Sequence, residues 1–132
     1  MEAEITATVG IFSGRPNPEI SLAGEAAERL AESVKEAIGR EPAPPPAPAR
    51  LGYYYGFVVR SPRDLARRLG LPEEFRVYQG VLTERMGREP RHWRDTAEVE
   101  RTLIEQAYQQ GYGEMLQRVG VDASEPRRYD VR

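Results

Sequence analysis

The chain has 132 residues, of which 39% are hydrophobic and 30% are charged, with a formal net charge of −2 and no cysteine. This length fits one domain, since a chain of about this size buries roughly two-thirds of the surface that its unfolded form exposes. The lack of cysteine excludes disulfides, thiolate nucleophiles and metal–thiolate sites. His92 is the only histidine, so a histidine-rich metal site is excluded too, and we predict no metal and no cofactor.

The lack of a membrane helix and of a signal-peptide pattern favours a cytoplasmic protein. The longest apolar stretch, residues 51–59, is far shorter than the ~20 residues of a membrane helix, and the acidic amino terminus lacks the pattern of a signal peptide.

Eighteen of the 19 basic residues are arginine, as a GC-rich genome produces without selection. Residues 1–49 sum to −4, residues 50–94 to +5 and residues 95–132 to −3, so the middle of the chain is the candidate anion-facing region.

The first half of the chain predicts a strand, a turn and a helix. Apolar and polar residues alternate over 3–11, which is typical of a half-buried strand, and turn residues follow at 13–18. A helix is predicted over 22–38, with Ser21 as its cap and Gly39 as its stop, on an alanine-rich apolar stripe formed by Ala27, Leu30, Ala31, Val34 and Ile38.

Residues 41–50 form the proline segment, with five prolines separated mainly by alanine. This composition favours an extended polyproline conformation without internal hydrogen bonds. We interpret it as a semi-rigid surface loop within a single domain spanning 1–132. A docking site for a proline-recognising domain is the weaker alternative.

The second half predicts further strands and helices. Strands are expected at 52–60 and 75–83, with a short helix from Ser61-Pro62 to Gly70 between them, and residues 84–94 are expected to be a polar, arginine-rich loop. A capping-box pattern at 95–98 opens the last long helix.

We expect Gly111 and Gly113 to interrupt this last helix, and residues 128–131 to form a short fourth strand. The fold class is therefore α+β: a small, mostly antiparallel sheet of three or four strands with two long helices on one face, in a loosely ferredoxin-like order.

A repeated pattern across two predicted strands supplies the first candidate site. Tyr54-x-Gly56-x-Val58 recurs as Tyr78-x-Gly80-x-Leu82, so pairing of the strands would place two glycines beside two tyrosines. We call this the tyrosine–glycine floor. Glycine within a strand often marks close approach of a ligand or of another backbone. The alternative, which we favour, is that the alanine-rich helix covers the floor as ordinary core.

The loop at 13–18 supplies the second candidate. Arg15 and Asn17 each precede a proline, which stiffens the loop, and an arginine held in this way can bind a carboxylate or a phosphate in bidentate fashion. The alternative is a tight turn in which Asn17 bonds to local backbone.

This loop also carries a resemblance. The hexapeptide Ser-Gly-Arg-Pro-Asn-Pro after the first strand, followed by a helix and later by Leu51-Gly52-Tyr53 before a hydrophobic strand, resembles a group of small uncharacterised bacterial proteins. The resemblance covers about the first half of the chain, and Ile20 stands where that group has a tryptophan. It implies a bacterial protein but no particular activity.

Two alternatives remain open. Single-stranded nucleic acid could bind through Tyr54, Tyr78 and a cluster of arginines and one aromatic residue, namely Arg88, Arg91, Trp93 and Arg94, although the sequence pI of about 5.6 argues against it. An enzyme would need ionisable groups, such as His92 with Asp95 or Glu105 with Glu114, converging in a pocket at the sheet–helix junction.

We favour a small non-catalytic protein that binds a protein partner or a small anionic ligand. Its site would combine Arg15 and Asn17 with the tyrosine–glycine floor, formed by Tyr54, Gly56, Tyr78 and Gly80. An exposed edge strand would also suit a homodimer, because paired edges bury unsatisfied backbone groups.

Overall fold

The protein folds around one six-stranded antiparallel sheet. A computed structural model describes residues 3–11, 16–48, 54–86 and 89–121. The strands follow the order β2-β1-β3-β4-β5-β6, and every neighbouring pair is antiparallel. Their bounds are β1 Ile5–Val9, β2 Glu19–Leu22, β3 Phe57–Arg60, β4 Glu74–Tyr78, β5 Val81–Met86 and β6 Glu89–Arg94.

The helices occupy the connections and the end of the described chain. The first two are α1 (Gly24–Ala37), between β2 and β3, and α2 (Arg63–Leu69), between β3 and β4. After β6 come α3 (Val99–Ala107), a π-helical segment (Tyr108–Tyr112) and α4 (Gly113–Arg118), which follow one another without a gap. Gly111 has a φ of 100° inside the π-helical segment, which confirms the predicted interruption there.

One face of the sheet supplies the core. Alternate residues of β1 to β4 are buried while their neighbours are half-buried or exposed, as a period of two requires when one face is covered. The apolar stripes of α1 and α3 pack on that face, and all of these side chains belong to a single hydrophobic cluster. Its largest fully buried members include Phe57, Phe75, Ile5, Ile20, Leu30 and Leu103.

The α+β class is confirmed, but the predicted sheet of three or four strands with two long helices in a ferredoxin-like order is wrong. Residues 19–22 form β2, where we expected loop and the start of a helix, because Ile20 and Leu22 alternate with exposed residues. Helix α1 therefore begins at Gly24 after an Ala23 cap that makes no side-chain hydrogen bond, so Ser21 does not cap it.

The other two missing strands come from the middle of the chain. The strand predicted at 75–83 is two strands, separated by a turn at Gln79 and Gly80. The arginine-rich loop predicted at 84–94 instead forms the end of β5 and all of β6. β6 escaped recognition because its residues are exposed or half-buried, so they show no apolar alternation. The strand predicted at 128–131 lies outside the described residues.

Both edges of the sheet are occupied by this chain. On the outer side of β2, the side-chain amide of Gln110 donates from Nε2 to the Ser21 carbonyl (2.9 Å) and accepts at Oε1 from the Ser21 N–H (3.2 Å). On the outer side of β6, the Glu41 carbonyl accepts from the Arg94 N–H, and the Ala43 N–H donates to the His92 carbonyl. These contacts remove the edge-pairing reason for a homodimer, which stays a prediction.

Replacing Gln110 should open the β2 edge. We expect Gln110→Ala to self-associate with rising concentration, because the freed Ser21 groups can pair with the same edge of a second copy. Sedimentation velocity measures this association, with the exposed neighbour variant Gln109→Ala as the control. A Gln110→Ala protein whose sedimentation matches that of the control at every concentration would contradict the role assigned to Gln110.

Candidate functional site

The structure brings most of the predicted site residues to one end of the sheet. Gly10, just after β1, exchanges two backbone hydrogen bonds with residues 55 and 56. Asn17 lies beside them: its Oδ1 accepts from the Ile11 N–H (3.0 Å) and its Nδ2 donates to the Tyr55 hydroxyl (2.7 Å). Asn17 therefore has the structural role of closing its loop. Arg15 lies outside the described residues.

Gly56 makes room for Tyr78. Its φ of 95° is strongly disfavoured for any residue with a Cβ. A Cβ at this position would also collide with the Val77 carbonyl oxygen and with the Cβ of Tyr78. The Tyr78 ring thus packs across Gly56 and meets the Tyr54 ring edge-on at a centroid distance of 5.8 Å.

Gly80 lies in a turn and not in a strand. Gln79 and Gly80 have φ values of 52° and 75°, and such a pair of positive φ values is typical of a two-residue hairpin turn. The two glycines therefore do not form the tyrosine–glycine floor that the sequence pattern indicated. The two tyrosines are neighbours, but Tyr54 is buried at 6% exposure and only Tyr78 is half-buried.

The central group at this end of the sheet is a buried carboxylate, Glu100 in the first turn of α3, which is 3% exposed. Its Oε2 accepts from the Tyr54 hydroxyl (2.6 Å), and its Oε1 accepts from the Gly80 N–H (3.0 Å). Burial of an ionised carboxylate is costly unless hydrogen-bond donors reach it. Here a tyrosine and the hairpin turn supply those donors.

Burial raises the pKa of Glu100 from its ordinary value near 4.5 to about 7. The hydrogen bonds from Tyr54 and Gly80 lower this pKa, and the charge of Asp95 raises it, but loss of hydration dominates. Burial, and secondarily the negative charge of Glu100, also raise the pKa of Tyr78, so its phenol stays protonated at neutral pH.

Asp95 fixes the other side of the turn. Its backbone N–H donates to the Gly80 carbonyl (2.8 Å), while its carboxylate accepts from the N–H groups of Val99 (2.7 Å) and Glu100 (2.8 Å) at the start of α3. Helix α3 begins at Val99, later than the capping-box pattern at 95–98 predicted, and Asp95 reaches its first N–H groups from four and five residues away. Turn and helix start are therefore locked together.

A cavity of about 700 Å³ opens beside this turn. One wall is the proline segment, whose described residues 41–48 run past β6, and the other walls are the turn and the chain between β6 and α3. The residues of those other walls are Gln79, Gly80, Val81, Arg94, Asp95 and Thr96. Gly80, whose N–H donates to Glu100, is therefore also part of the cavity wall.

The described residues of the nucleic-acid alternative lie on both faces of the sheet. Leu82 pairs with Trp93 and Thr83 with His92, so side-chain alternation places Trp93 and Arg91 on the helix-covered face of the sheet, and Arg94 on the opposite face with His92. The Trp93 indole N–H donates to the buried Glu84 carboxylate (2.9 Å). Among the described members of this set, Arg94 is thus separated from Arg91 and Trp93 by the sheet, and Tyr54 is buried. Arg88 lies outside the described residues.

The enzyme alternative loses its expected location. The side chains of Ala27, Leu30 and Val34 fill the junction between α1 and the sheet, each at 2% exposure or less. Glu105 and Glu114 are exposed. The Nδ1 atom of His92 is hydrogen-bonded to the Thr83 hydroxyl (2.8 Å) and not to Asp95.

The sequence-based predictions did not include Glu100 as a site residue, although the pattern of α3 indicates it. It shares one buried helix face with Leu103, Ile104 and Ala107, at the three- and four-residue spacing of an apolar stripe. A carboxylate on such a stripe is rare unless it is paired.

The chain matches no protein-family model, no curated protein and no solved structure in the comparisons made. Over the described ranges, none of the helices combines the length and the apolar character needed to cross a bilayer. The same residues contain no group of three histidine, aspartate or glutamate side chains placed to hold a metal ion. The evidence on function is therefore the geometry of the site.

The close approach of Tyr78 to Gly56 can be tested by adding one methyl group. We expect Gly56→Ala to destabilise the protein by about 3 kcal/mol or more, because positive φ and steric overlap both oppose the new Cβ. Gly39→Ala is the matched control: Gly39 also has positive φ, but nothing lies near its Cβ position, so about 1 kcal/mol is expected. Urea unfolding measures both, and equal losses would refute the close approach.

The burial of Glu100 predicts a pH-dependent stability. Because the pKa is raised in the folded state, the folded protein binds the proton more tightly, so Glu100's contribution to stability is lost as pH rises from about 4.5 to above 7. We expect the stability of Glu100→Gln relative to the natural chain to increase by about 2–3 kcal/mol over that range.

The control for this experiment is Glu105→Gln, on an exposed position of the same helix. Its stability relative to the natural chain should stay nearly constant over the same pH range. If Glu100→Gln behaves like Glu105→Gln in urea unfolding, Glu100 does not titrate as described.

Proposed function

We propose that the protein is a non-catalytic binding domain whose cavity beside the proline segment takes a small ligand with an apolar body and one carboxylate or phosphate group. The observation that carries this proposal is the cavity itself. Its volume of about 700 Å³ falls within the range of small-molecule sites, and its lining of prolines, alanines and a valine with a few polar groups is typical of them.

Arg94 is the group that favours an anion. Among the described residues that line the cavity, it is the only cationic one, and its Nε donates to the Glu41 carboxylate (3.0 Å). A guanidinium carries five N–H donors, so the terminal nitrogens of Arg94 can bind a ligand carboxylate while Nε keeps its bond to Glu41. The Thr96 hydroxyl, on an exposed residue of the same wall, supplies a further donor.

Asp95 is the acidic residue in the cavity wall, and its charge opposes the binding of an anion only in part. The carboxylate of Asp95 accepts two N–H groups at the start of α3, where the helix dipole compensates negative charge. Its field within the cavity is therefore weaker than that of a free carboxylate.

Binding is favoured over catalysis by the position of the group with the shifted pKa. Glu100 lies behind the turn and does not line the cavity. The lining itself offers apolar surface and hydrogen-bond donors, which select and orient a ligand. General acid–base catalysis would require Glu100 to reach a reacting atom directly or through one water.

Three probes test the proposal. Each contains one benzene ring, and they differ in charge: benzoate is an anion, benzamide is neutral and benzamidinium is a cation. We expect benzoate alone of the three to bind at millimolar concentration and to shift the amide resonances of Gly80 and Thr96 in NMR spectra. Arg94→Ala should weaken that binding about tenfold or more, because it removes a charge-assisted contact.

The matched control is Arg91→Ala, which removes an exposed arginine from the same strand but from its other face. It should leave benzoate binding unchanged. Binding that is insensitive to Arg94→Ala, or the absence of benzoate binding to the natural chain, would refute the proposed function.

A further inference from the structure

Glu100 is electrostatically close to whatever occupies the cavity. The Gly80 N–H lies 3.0 Å from Glu100 Oε1, and Gly80 is part of the cavity wall. A ligand atom in van der Waals contact with the Gly80 nitrogen therefore lies at most about 7 Å from the carboxylate. Arg94, which would hold the anionic group, lines the same cavity as Gly80, so the ligand's charge acts on Glu100 across the turn, where the effective dielectric constant is well below that of water.

We propose that Glu100 is the proton-linked positioning residue of this cavity, which takes up a proton when an anion binds at Arg94 and thereby couples ligand affinity to pH. This inference rests on the proposed function and adds its regulation. It assigns the buried carboxylate a role beyond that of stabilising the fold.

The groups facing Glu100 make the change of charge feasible. Tyr54 faces it from the segment before β3, Tyr78 from β4 and Asp95 from the chain before α3. Tyr54 and Tyr78 are neutral phenols, and Asp95 is held by two helix N–H groups. With its pKa raised to about 7, Glu100 is the member of this set that gains a proton at little cost near neutral pH.

Both protonation states keep the turn in place. The ionised carboxylate accepts from Tyr54 and from Gly80. After protonation, one oxygen still accepts from the Gly80 N–H, and the new O–H donates to the Tyr54 oxygen, since a hydroxyl both donates and accepts. The linkage therefore changes the charge next to the cavity and preserves its shape. Glu100→Gln mimics the protonated state, because its amide offers the same acceptor and a donor.

The direction of the effect follows from the sign of the charges. A bound anion disfavours ionised Glu100 and so raises its pKa further, which means that the complex holds more protons than the free protein. Affinity for an anion must then fall as pH rises through the pKa of Glu100. We expect the Kd of benzoate to increase about fivefold between about pH 6 and about pH 8.

The test compares three proteins by isothermal titration calorimetry with benzoate, which is ionised at both pH values. For Glu100→Gln the Kd should be the same at both and should match that of the natural chain near pH 6. His92→Gln removes the only histidine and should keep the natural pH dependence. Titrations in buffers of different ionisation enthalpy should show proton uptake that Glu100→Gln abolishes.

The outcomes separate the two proposals. Benzoate binding that is independent of pH, or equally pH-dependent in Glu100→Gln, overturns the inference and leaves the proposed function standing. Loss of the pH dependence in His92→Gln also overturns it. No benzoate binding to any of the three proteins at either pH overturns the proposed function and the inference together.

A ligand-free measurement adds a readout that does not depend on the probe. The Gly80 amide resonance should shift with pH around a midpoint near 7 in the natural chain and stay constant in Glu100→Gln, because the amide reports the charge of its acceptor. A flat Gly80 titration in the natural chain overturns the inference.

Discussion

A buried carboxylate must either find hydrogen-bond donors or give up its charge, and this requirement organises one end of the molecule. Glu100 meets it with the Tyr54 hydroxyl and the Gly80 N–H. Through these two bonds the first turn of α3 is joined to the chain before β3 and to the β4–β5 hairpin. Asp95 bonds the same hairpin from its other side. One acid thus links three separate segments at the cavity wall.

The edges of the sheet explain where the cavity lies. Over its described residues, 41–48, the proline segment pairs with β6 through two backbone bonds, at residues 41 and 43, and prolines with no N–H cannot extend that ladder. The segment therefore leaves the strand and passes the hairpin turn, which creates the cavity between them. At the opposite edge, the side-chain amide of Gln110 makes two hydrogen bonds to the backbone of β2 and so covers part of that edge. The π-helical segment places this glutamine beside the edge.

The sequence predicted the parts of this fold that depend on local pattern. The alternation in β1, the stripe of α1, the helix begun by Ser61-Pro62 and the interruption at Gly111 all follow from spacing or from backbone preference. It did not predict β2, whose alternation covers only four residues, or β6, whose residues are all exposed or half-buried. The turn at Gln79 and Gly80 was missed because Gln79 is an unusual residue at positive φ.

The site was predicted in part for the same reason. The pattern correctly singled out Tyr54 and Tyr78 as neighbours, but it placed Gly80 in a strand, and it passed over Glu100 because most helix carboxylates face solvent. Whether a carboxylate on a helical stripe is buried depends on what packs against it. That contact joins residues 54, 80 and 100, which are far apart in the chain, so no local pattern records it.

The account depends most directly on the protonation of Glu100 within the folded protein. The ¹³C chemical shift of its side-chain carboxyl, followed against pH in the ligand-free protein, reports that protonation at the atom concerned. The account predicts a midpoint of about 7. A midpoint near 4.5, the ordinary value for a hydrated glutamate, would show that the carboxylate is solvated and would contradict the central claim.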